Sequence, residues 1–284
     1  MTIAEHVALA RRALEEAGVP AREAGLDAEL LARTVLAWDR ATFVTRRREA
    51  AAPGFDAAYA ALLARRARRE PVAYILGERE FWGLSFEVTR DVLIPRPETE
   101  LIVEEALAAF GGGRPPATMI DVCTGSGCLA VTLARAFGGA DVIATDISPA
   151  ALEVARRNAQ RHGMAGRIEF RTADLLDGIT VRADLVVSNP PYVARRDAAT
   201  LAPEVRDHEP HVALFAGDDG LEVYRRLLPA ARGRLTPDGK LVLEVGVDQA
   251  DPVAAAAEAT GLRLDHTRQD LQGITRTMVF GVEL

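Results

Sequence analysis

The chain has 284 residues, 49% hydrophobic and 26% charged, a composition that excludes a disordered protein and supports one large domain and a smaller one. Its net charge of -7 argues against a broad electrostatic footprint on nucleic acid, because each neutralised phosphate needs a Lys or Arg. No uninterrupted apolar run reaches the roughly 20 residues that cross a bilayer, and two cysteines are too few for a tetrahedral structural zinc site.

Residues 1–75 are predicted to form a small bundle of helices. Apolar residues recur there at three- and four-residue spacing, and Gly and Pro in segments 18–20 and 52–54 separate one helix from the next. Arg clusters at 46–48 and 65–69 are interpreted either as solvated helix ends or as a surface for a partner. No catalytic residue types are grouped here, so the unit is interpreted either as a scaffold or as an N-terminal helical domain for substrate recognition, and we expect the second role.

A β-hairpin is predicted at residues 76–93, as a linker to the next domain. Its apolar residues alternate with Gly and Ser, and they are Phe81, Leu84, Phe86 and Val88. Two prolines at 95 and 97 then fix the start of a helix over about 98–110. We expect the second domain to span residues 94–284.

From residue 118 onward, apolar strands alternate with helices. Strands that are apolar throughout and separated by helices indicate an α/β fold with a doubly wound parallel sheet. Strands are predicted at 118–123, 142–145, 167–170, 183–188 and 240–245, and helices at 126–137, 149–162, 221–235 and 249–260. Two last strands, near 262–266 and 276–282, have no adequate helix between them, which predicts an antiparallel hairpin at the sheet edge.

A glycine-rich loop follows the first strand of this sheet. It consists of Cys123, Thr124, Gly125, Ser126 and Gly127. The two glycines allow a tight turn and a close approach of ligand to backbone, where doubly wound sheets bind cofactors. With Ala130 the spacing also satisfies the dinucleotide fingerprint, so the loop alone fits a nicotinamide cofactor as well as S-adenosylmethionine.

Acidic residues at the ends of the next two strands predict contacts with the rest of a nucleoside. Asp146 is placed where a carboxylate accepts hydrogen bonds from ribose hydroxyls, and its alternative role is a helix N-cap, for which Ser148 is better suited. Asp174 is placed to accept from an adenine amine, with Leu175 packing on the ring. This second assignment is weaker, because Asp is common in any turn.

A second loop follows the apolar strand 183–188, and its residues indicate which reaction the protein catalyses. Its residues are Asn189, Pro190, Pro191 and Tyr192. Two prolines prevent the strand from continuing, so the loop turns out at the carboxyl edge of the sheet beside the cofactor crevice. An isolated Asn-Pro pair is also typical of an ordinary turn.

These residues suit a planar NH2 group as substrate. An amide nitrogen is a poor nucleophile, because its lone pair is delocalised, and it needs positioning. The Asn189 side-chain oxygen and the Pro190 carbonyl can each accept one N–H, while the Tyr192 ring covers the planar face. We therefore predict methyl transfer from a sulfonium to the planar NH2 group of an amide or a conjugated amine, without a metal.

The sequence resembles the HemK-type family of peptide chain release factor glutamine methyltransferases over nearly its whole length. The matching segments are 71–77, 81–83, 94–100, 124–127, 189–192, 209–210, 219–221 and 244–246. Asn-Pro-Pro-Tyr alone is shared with DNA adenine methyltransferases. The combination of this motif with the Arg-Pro-Glu-Thr-Glu segment at 96–100 is found in a much narrower range of families.

The resemblance implies a Rossmann-like class I methyltransferase that modifies the N5 atom of the glutamine in the Gly-Gly-Gln motif of release factors. S-adenosyl-L-methionine would be the methyl donor and S-adenosyl-L-homocysteine the product. The loop from Cys123 to Gly127 would hold the methionine part, Asp146 the ribose, and Asn189 both cofactor and glutamine. The amide pocket would be completed by Pro190, Pro191 and Tyr192. Cys123 departs from the family, which usually has Gly there.

Three alternatives remain open from the residues. A ribosomal-protein glutamine methyltransferase would share the amide pocket and differ in the N-terminal domain. A DNA or RNA amine methyltransferase needs a basic recognition region, and the acidic catalytic part of this chain counts against it. A nicotinamide oxidoreductase leaves residues 189–192 unexplained. We expect a cytoplasmic enzyme that acts on release factors, with no membrane partner and no direct contact with nucleic acid.

Overall fold

The computed structural model describes residues 1–283, which divide into two units. The first unit comprises Met1–Gly77 together with Ala202–His208. The second comprises Glu78–Leu201 and the chain from Glu209 onward. The short segment 202–208 therefore belongs structurally to the N-terminal helices, although it lies far from them in the sequence.

Six helices form the first unit. They are α1 (Ile3–Glu16), α2 (Ala21–Leu36), α3 (Arg40–Arg46), α4 (Phe55–Ala67), α5 (Val72–Leu76) and α9 (Pro203–His208). Helix α1 begins with a capping box, in which Glu5 N donates to Thr2 Oγ1 and Thr2 N donates to Glu5 Oε2. The apolar faces of α1, α2 and α4 meet in one core around Leu14 and Leu31.

Two arginines of the second Arg cluster, Arg66 and Arg69, make ion pairs within this unit. Arg66 is only 2% exposed, and its guanidinium donates to Asp27 and to Glu204, both at 2.7 Å. Arg69 donates to both carboxylate oxygens of Glu204 at 2.7 Å. These bonds fasten α9 to the helical unit, and the two Arg side chains serve its structure.

The second unit contains a hairpin, five longer helices and a seven-stranded sheet. Its strands are β1 (Glu78–Phe81), β2 (Leu84–Glu87), β3 (Thr118–Val122), β4 (Asp141–Asp146), β5 (Ile168–Thr172), β6 (Ala183–Ser188), β7 (Leu235–Glu244), β8 (Leu262–Gln269) and β9 (Thr275–Val282). Its helices are α6 (Glu100–Phe110), α7 (Cys128–Ala136), α8 (Pro149–Arg161), α10 (Glu222–Arg234) and α11 (Ala250–Glu258). Short 3-10 helices lie at Pro97–Thr99, Arg195–Thr200 and His211–Ala213.

The large sheet confirms the predicted doubly wound fold. Its strand order is β5-β4-β3-β6-β7-β9-β8, with parallel pairing from β5 through β7. The predicted C-terminal hairpin is also confirmed, since β9 pairs antiparallel with both β7 and β8. Strand β9 is the inner strand of this hairpin, and β8 forms the sheet edge.

Alternate residues of the central strands point to opposite faces of the sheet, as the two-residue period of a strand requires. On one face Met119, Leu185 and Val242 pack in a cluster that includes residues of α6 and α7. On the other face Ile120 and Val186 pack in a cluster that includes residues of α10 and α11. Burial on both faces explains why these strands are apolar throughout.

Within residues 1–283, no helix is both long and apolar enough to cross a bilayer.

The β1–β2 hairpin is held against α8 by Asn158, which is 0% exposed. Its side-chain oxygen accepts from Glu87 N at 2.7 Å, and its amide donates to Glu87 O and Ser126 O, both at 2.9 Å. We expect Asn158→Ala to destabilise the protein by about 3 kcal/mol, because three backbone groups, one buried and two partly buried, lose their partner. Calorimetry should show a Tm lower by about 6–12 °C, and a Tm within about 2 °C of wild type would contradict this account.

Candidate functional site

Three chain segments with polar residues meet at the carboxyl edge of the parallel sheet. Strands β4, β3 and β6 are neighbours, and Val122 pairs with Thr145 on one side and with Ser188 on the other. The loops that follow Val122, Asp146 and Ser188 therefore start side by side. Strand β3 is also where the strand order reverses, the position at which open α/β sheets bind ligands.

A cleft of about 730 Å³, including the part open to solvent, lies at this edge. The lining combines three of the predicted segments with the loop before α6. Its residues are Asp91, Val92, Leu93, Pro95, Thr99, Cys123, Thr124, Gly125, Ser126, Cys128, Leu129, Asp146, Ile147, Ser148, Ala151, Asn189, Pro191, Val212 and Ala213.

The glycine-rich loop makes a tight turn on one wall of the cleft. Gly125 and Gly127 have φ angles of 54° and 79°, in the left-handed region that favours glycine. A Cβ atom on Gly127 would lie 3.0 Å from the Ala155 Cβ and 3.2 Å from its Cα, so α8 packs directly on the loop. Sequence reasoning predicted the turn correctly from the spacing of the two glycines.

Cys123 stands where the family usually has Gly, and the structure shows the conformation of this residue. Its φ is 60°, so this position favours glycine, and a non-glycine residue there carries strain of about 1–2 kcal/mol. Burial raises the pKa of its thiol well above the usual value. The side chain is therefore a small neutral group on the cleft wall.

Asp121 supports the same loop from below and was not identified from the sequence. Its Oδ2 accepts from Thr124 Oγ1 at 2.6 Å and from Ala130 N at 3.0 Å, which ties the loop to α7. Burial raises the pKa of this carboxyl to about 7. The signal that could have revealed it is an acid at the end of an otherwise apolar, buried strand.

Asp146 joins the end of β4 to the glycine-rich loop. Its Oδ2 accepts from Gly125 N and its Oδ1 from Ser148 N, both at 2.9 Å. Ser148 caps α8, since its Oγ accepts from Ala151 N, so Asp146 is not the N-cap. Each carboxylate oxygen has a second lone pair, which leaves acceptor capacity on the cleft side. Burial raises the pKa of Asp146 from its usual range.

Asn189 lies on the opposite wall of the cleft, at the end of β6. Its side-chain Nδ2 donates to Thr99 Oγ1 at 3.0 Å. The Oδ1 atom is buried and has no hydrogen-bond partner in the part of the chain that the structure describes. A buried acceptor without a partner costs about 1–3 kcal/mol, which is typical of a group that awaits a ligand.

Thr99 and Glu244 extend this contact into the protein. Thr99 Oγ1 also lies 2.6 Å from Glu244 Oε2, and Tyr192 OH donates to Glu244 Oε1 at 3.2 Å. Burial is the main cause that raises the pKa of Glu244 to about 7. Thr99 and Glu244 both stand in segments that matched the family, but neither was assigned a role from the sequence.

The remaining predicted site residues lie off the cleft surface. Of the described residues that line the cleft, none is Gly127, Pro190, Tyr192, Asp174 or Leu175. Asp174 pairs instead with Arg226, at 2.6 Å. Leu175 is buried in the core on the α10 face of the sheet. The Tyr192 carbonyl accepts from Gln249 Nε2 at 2.9 Å, which fixes the end of the proline-rich loop.

The segment before α6 is anchored to the same unit by Glu209. This buried carboxylate accepts from Ile94 N at 3.1 Å and pairs with Arg96. Residues Val92, Leu93 and Pro95 thereby line the cleft. Glu209 was noted in the sequence only as part of a matching Glu-Pro pair.

The sequence is similar to two family models and to several known proteins. Residues 5–77 match the model of the PrmC N-terminal domain, and residues 99–205 match that of the methyltransferase small domain. A release factor glutamine methyltransferase from Cereibacter sphaeroides is 47% identical over 254 residues, which cover 89% of this chain and 90% of that protein. Another from Geobacter sulfurreducens is 44% identical over 268 residues, covering 93% and 91%.

Solved structures share the fold at lower identity. The crystal structure of a methyltransferase from Pyrococcus furiosus superposes with a TM-score of 0.54 at 19% identity. The match covers 78% of this chain and 99% of that one. At this identity the likeness concerns the fold alone.

Proposed function

Because this chain belongs to the release factor glutamine methyltransferase family, we propose that it transfers a methyl group from S-adenosylmethionine to the glutamine N5 atom in the Gly-Gly-Gln motif of release factors. The observation that carries the proposal is the Asn189 Oδ1 atom. It is a buried acceptor without a partner among the described residues, on a residue that lines the cleft. A glutamine side-chain NH2 group supplies the missing donor.

The glutamine amide is held, in this proposal, by two oxygen acceptors of the second loop. Asn189 Oδ1 accepts one N–H and the Pro190 carbonyl accepts the other, so that both hydrogens of the planar NH2 group are engaged. Pro191, which lines the cleft, keeps the loop rigid, and the Tyr192 ring, which does not line it in this structure, would cover the amide face once the substrate is bound. Alignment of this kind lowers the barrier by several kcal/mol, because the reactants no longer lose orientational freedom in the reaction step.

The cofactor fits the opposite wall of the cleft. The backbone turn at residues 123–127 would hold the methionine part, and the free lone pairs of the Asp146 carboxylate suit the two ribose hydroxyls. Asp174 and Leu175 would contact the adenine once Asp174 leaves Arg226. When bound, S-adenosylmethionine supplies an electrophilic methyl group on a positively charged sulfur.

The partner is a release factor, a protein substrate, and we propose that the N-terminal unit recognises it in the cytoplasm. The helices of that unit match the PrmC N-terminal domain over residues 5–77. Arg47 and Arg48 are exposed, whereas Arg66 is buried in ion pairs. Within the two Arg clusters, the exposed arginines available to the release factor are those of the 46–48 cluster and Arg68.

Methyl transfer can be tested directly on the proposed substrate. The protein is incubated with methyl-labelled S-adenosylmethionine and purified release factor, and in parallel with a release factor whose Gly-Gly-Gln glutamine is replaced by alanine. We expect label in the first protein only, because the glutamine amide is the only acceptor the pocket aligns. Label of equal intensity in the alanine variant would reject the assignment.

Two further arms separate the rival functions. In these arms a purified ribosomal-protein fraction or an adenine-containing oligonucleotide replaces the release factor as methyl acceptor. If either one is labelled in preference to the release factor, the substrate assignment changes to that acceptor. Thermal shift with S-adenosylhomocysteine and with NAD distinguishes the cofactor class, because only the ligand that binds the folded state raises the Tm. We expect a shift with the first ligand alone.

A further inference from the structure

The side-chain amide of Asn189 is held directly by Thr99, a buried residue of the cleft lining, and through Thr99 by Glu244, which does not line the cleft. Thr99 Oγ1 lies 3.0 Å from Asn189 Nδ2 and 2.6 Å from Glu244 Oε2. Thr99 is 2% exposed and Glu244 is 1% exposed. We propose that Thr99 and Glu244 are positioning residues, which form a hydrogen-bond relay that keeps the Asn189 oxygen facing the substrate amide. This inference rests on the proposed function.

The direction of the relay follows from counting donors. An ionised carboxylate only accepts, so the single hydroxyl hydrogen of Thr99 is donated to Glu244. Thr99 Oγ1 can then only accept from Asn189, and the amide must turn its Nδ2 toward Thr99. The Oδ1 atom is thereby left on the other side, where the structure has it without a partner among residues 1–283.

The relay matters because an asparagine amide has two nearly isosteric orientations. In the opposite orientation the NH2 group of Asn189 would face the NH2 group of the glutamine. Two donors would then meet, and the substrate nitrogen would lose one of its two acceptors. A relay that excludes this orientation raises the fraction of enzyme that is ready to align the amide.

Glu244 also connects the two ends of the second loop. Its Oε2 is bound by Thr99, which holds Asn189, and its Oε1 accepts from Tyr192 OH at 3.2 Å. One carboxylate therefore holds the side chains of the first and last residues of Asn-Pro-Pro-Tyr. Tyr224 OH fixes the same residue through its backbone, donating to Glu244 O at 2.8 Å.

Protonation of Glu244 would reverse the direction of the hydrogen bond between Thr99 and Glu244. A proton on Oε2 makes Glu244 the donor to Thr99, so the Thr99 hydroxyl is free to donate to the Asn189 oxygen. The charged groups that act on Glu244 are Glu98, which raises its pKa, and Arg276, which lowers it. Burial outweighs them and sets the pKa at about 7. The relay is therefore present above this pH and is lost as the pH falls through it.

Two threonine variants test the relay. Thr99→Ser keeps the hydroxyl, whereas Thr99→Val keeps the shape and removes the hydroxyl. At saturating S-adenosylmethionine and release factor we expect kcat to fall about 10–30-fold for Thr99→Val, and to stay within about threefold of wild type for Thr99→Ser. The affinity for S-adenosylhomocysteine, measured by calorimetry, should be alike in both variants, because the relay acts on the substrate amide. Equal kcat values for the two variants would overturn the proposal.

A third variant tests the relay through pH even if Thr99→Val folds poorly. For wild type we expect kcat to decrease as the pH falls through about 7. Glu244→Gln cannot ionise, so this decrease should be absent in the variant. Asp121 has a pKa in the same region, and if it causes the decrease, Glu244→Gln will retain it and the relay is wrong. A wild-type protein that fails to methylate release factor overturns the proposed function itself, whereas an active wild type with indistinguishable Thr99 variants overturns the relay alone.

Discussion

Asn189→Ala is expected to reduce kcat for release factor methylation by about 10²–10³-fold, the cost of removing one preorganised hydrogen-bonding group from an active site. The variant loses the Oδ1 acceptor and, with it, the alignment of the glutamine amide. Stability should change little, because Asn189 makes one side-chain hydrogen bond, from Nδ2 to Thr99. Steady-state kinetics at saturating cofactor, together with a thermal unfolding curve, measure both effects.

The chain offers a matched control, since Asn158 is its only other asparagine. Asn158 is buried and does not itself line the cleft; it binds backbone groups of the hairpin and donates to Ser126 O of the glycine-rich loop. Its alanine variant should lower the Tm while retaining more activity than Asn189→Ala at a temperature where both are folded. If Asn189→Ala retains activity within a few-fold of wild type, its oxygen does not position the substrate.

Asp146→Ala is expected to weaken binding of S-adenosylhomocysteine by about 100-fold. The carboxylate provides acceptors for two ribose hydroxyls, and losing hydrogen bonds to a charged group costs about 1.5–3 kcal/mol each. It also holds the glycine-rich loop through Gly125 N, at 2.9 Å. Isothermal titration of the purified variant with S-adenosylhomocysteine gives the Kd directly.

Two acids further along the chain serve as comparisons for Asp146. Asp177 is exposed, and Asp177→Ala should leave the Kd unchanged. Asp174→Ala measures the proposed adenine contact, and a single charge-assisted hydrogen bond predicts about a tenfold weaker Kd. A Kd for Asp146→Ala equal to that of Asp177→Ala would show that Asp146 does not hold the ribose.

Most of the fold could be predicted because it depends on local pattern. Apolar runs separated by amphipathic segments predicted the parallel sheet, and the chain comparisons confirm the family that the motifs indicated. The sequence pattern predicted that strand β7 starts at residue 240, but it begins at Leu235. The pairing of β7 with β6 contains a register shift. Such an irregularity depends on the neighbouring strand and leaves no period in the sequence.

The site could be predicted only where residues lie at or directly after the ends of strands. Asp146, the last residue of β4, and Asn189, directly after β6, were expected at one edge in this way, and both line the cleft, since parallel strands bring their carboxyl ends together. Thr99 and Glu244 are 145 residues apart and meet only in the folded chain. The tie between Tyr192 and Glu244 was missed for the same reason. Packing beneath the sheet edge, not sequence spacing, decides which of these side chains touch.

The central claim is that the Asn189 side-chain oxygen accepts a hydrogen bond from the glutamine amide, and a crystal structure with S-adenosylhomocysteine and release factor measures that contact. We predict about 2.7–3.2 Å between Asn189 Oδ1 and the N5 atom, with Nδ2 still bound to Thr99. A glutamine nitrogen bound elsewhere, or an Asn189 oxygen turned toward Thr99, would contradict the account.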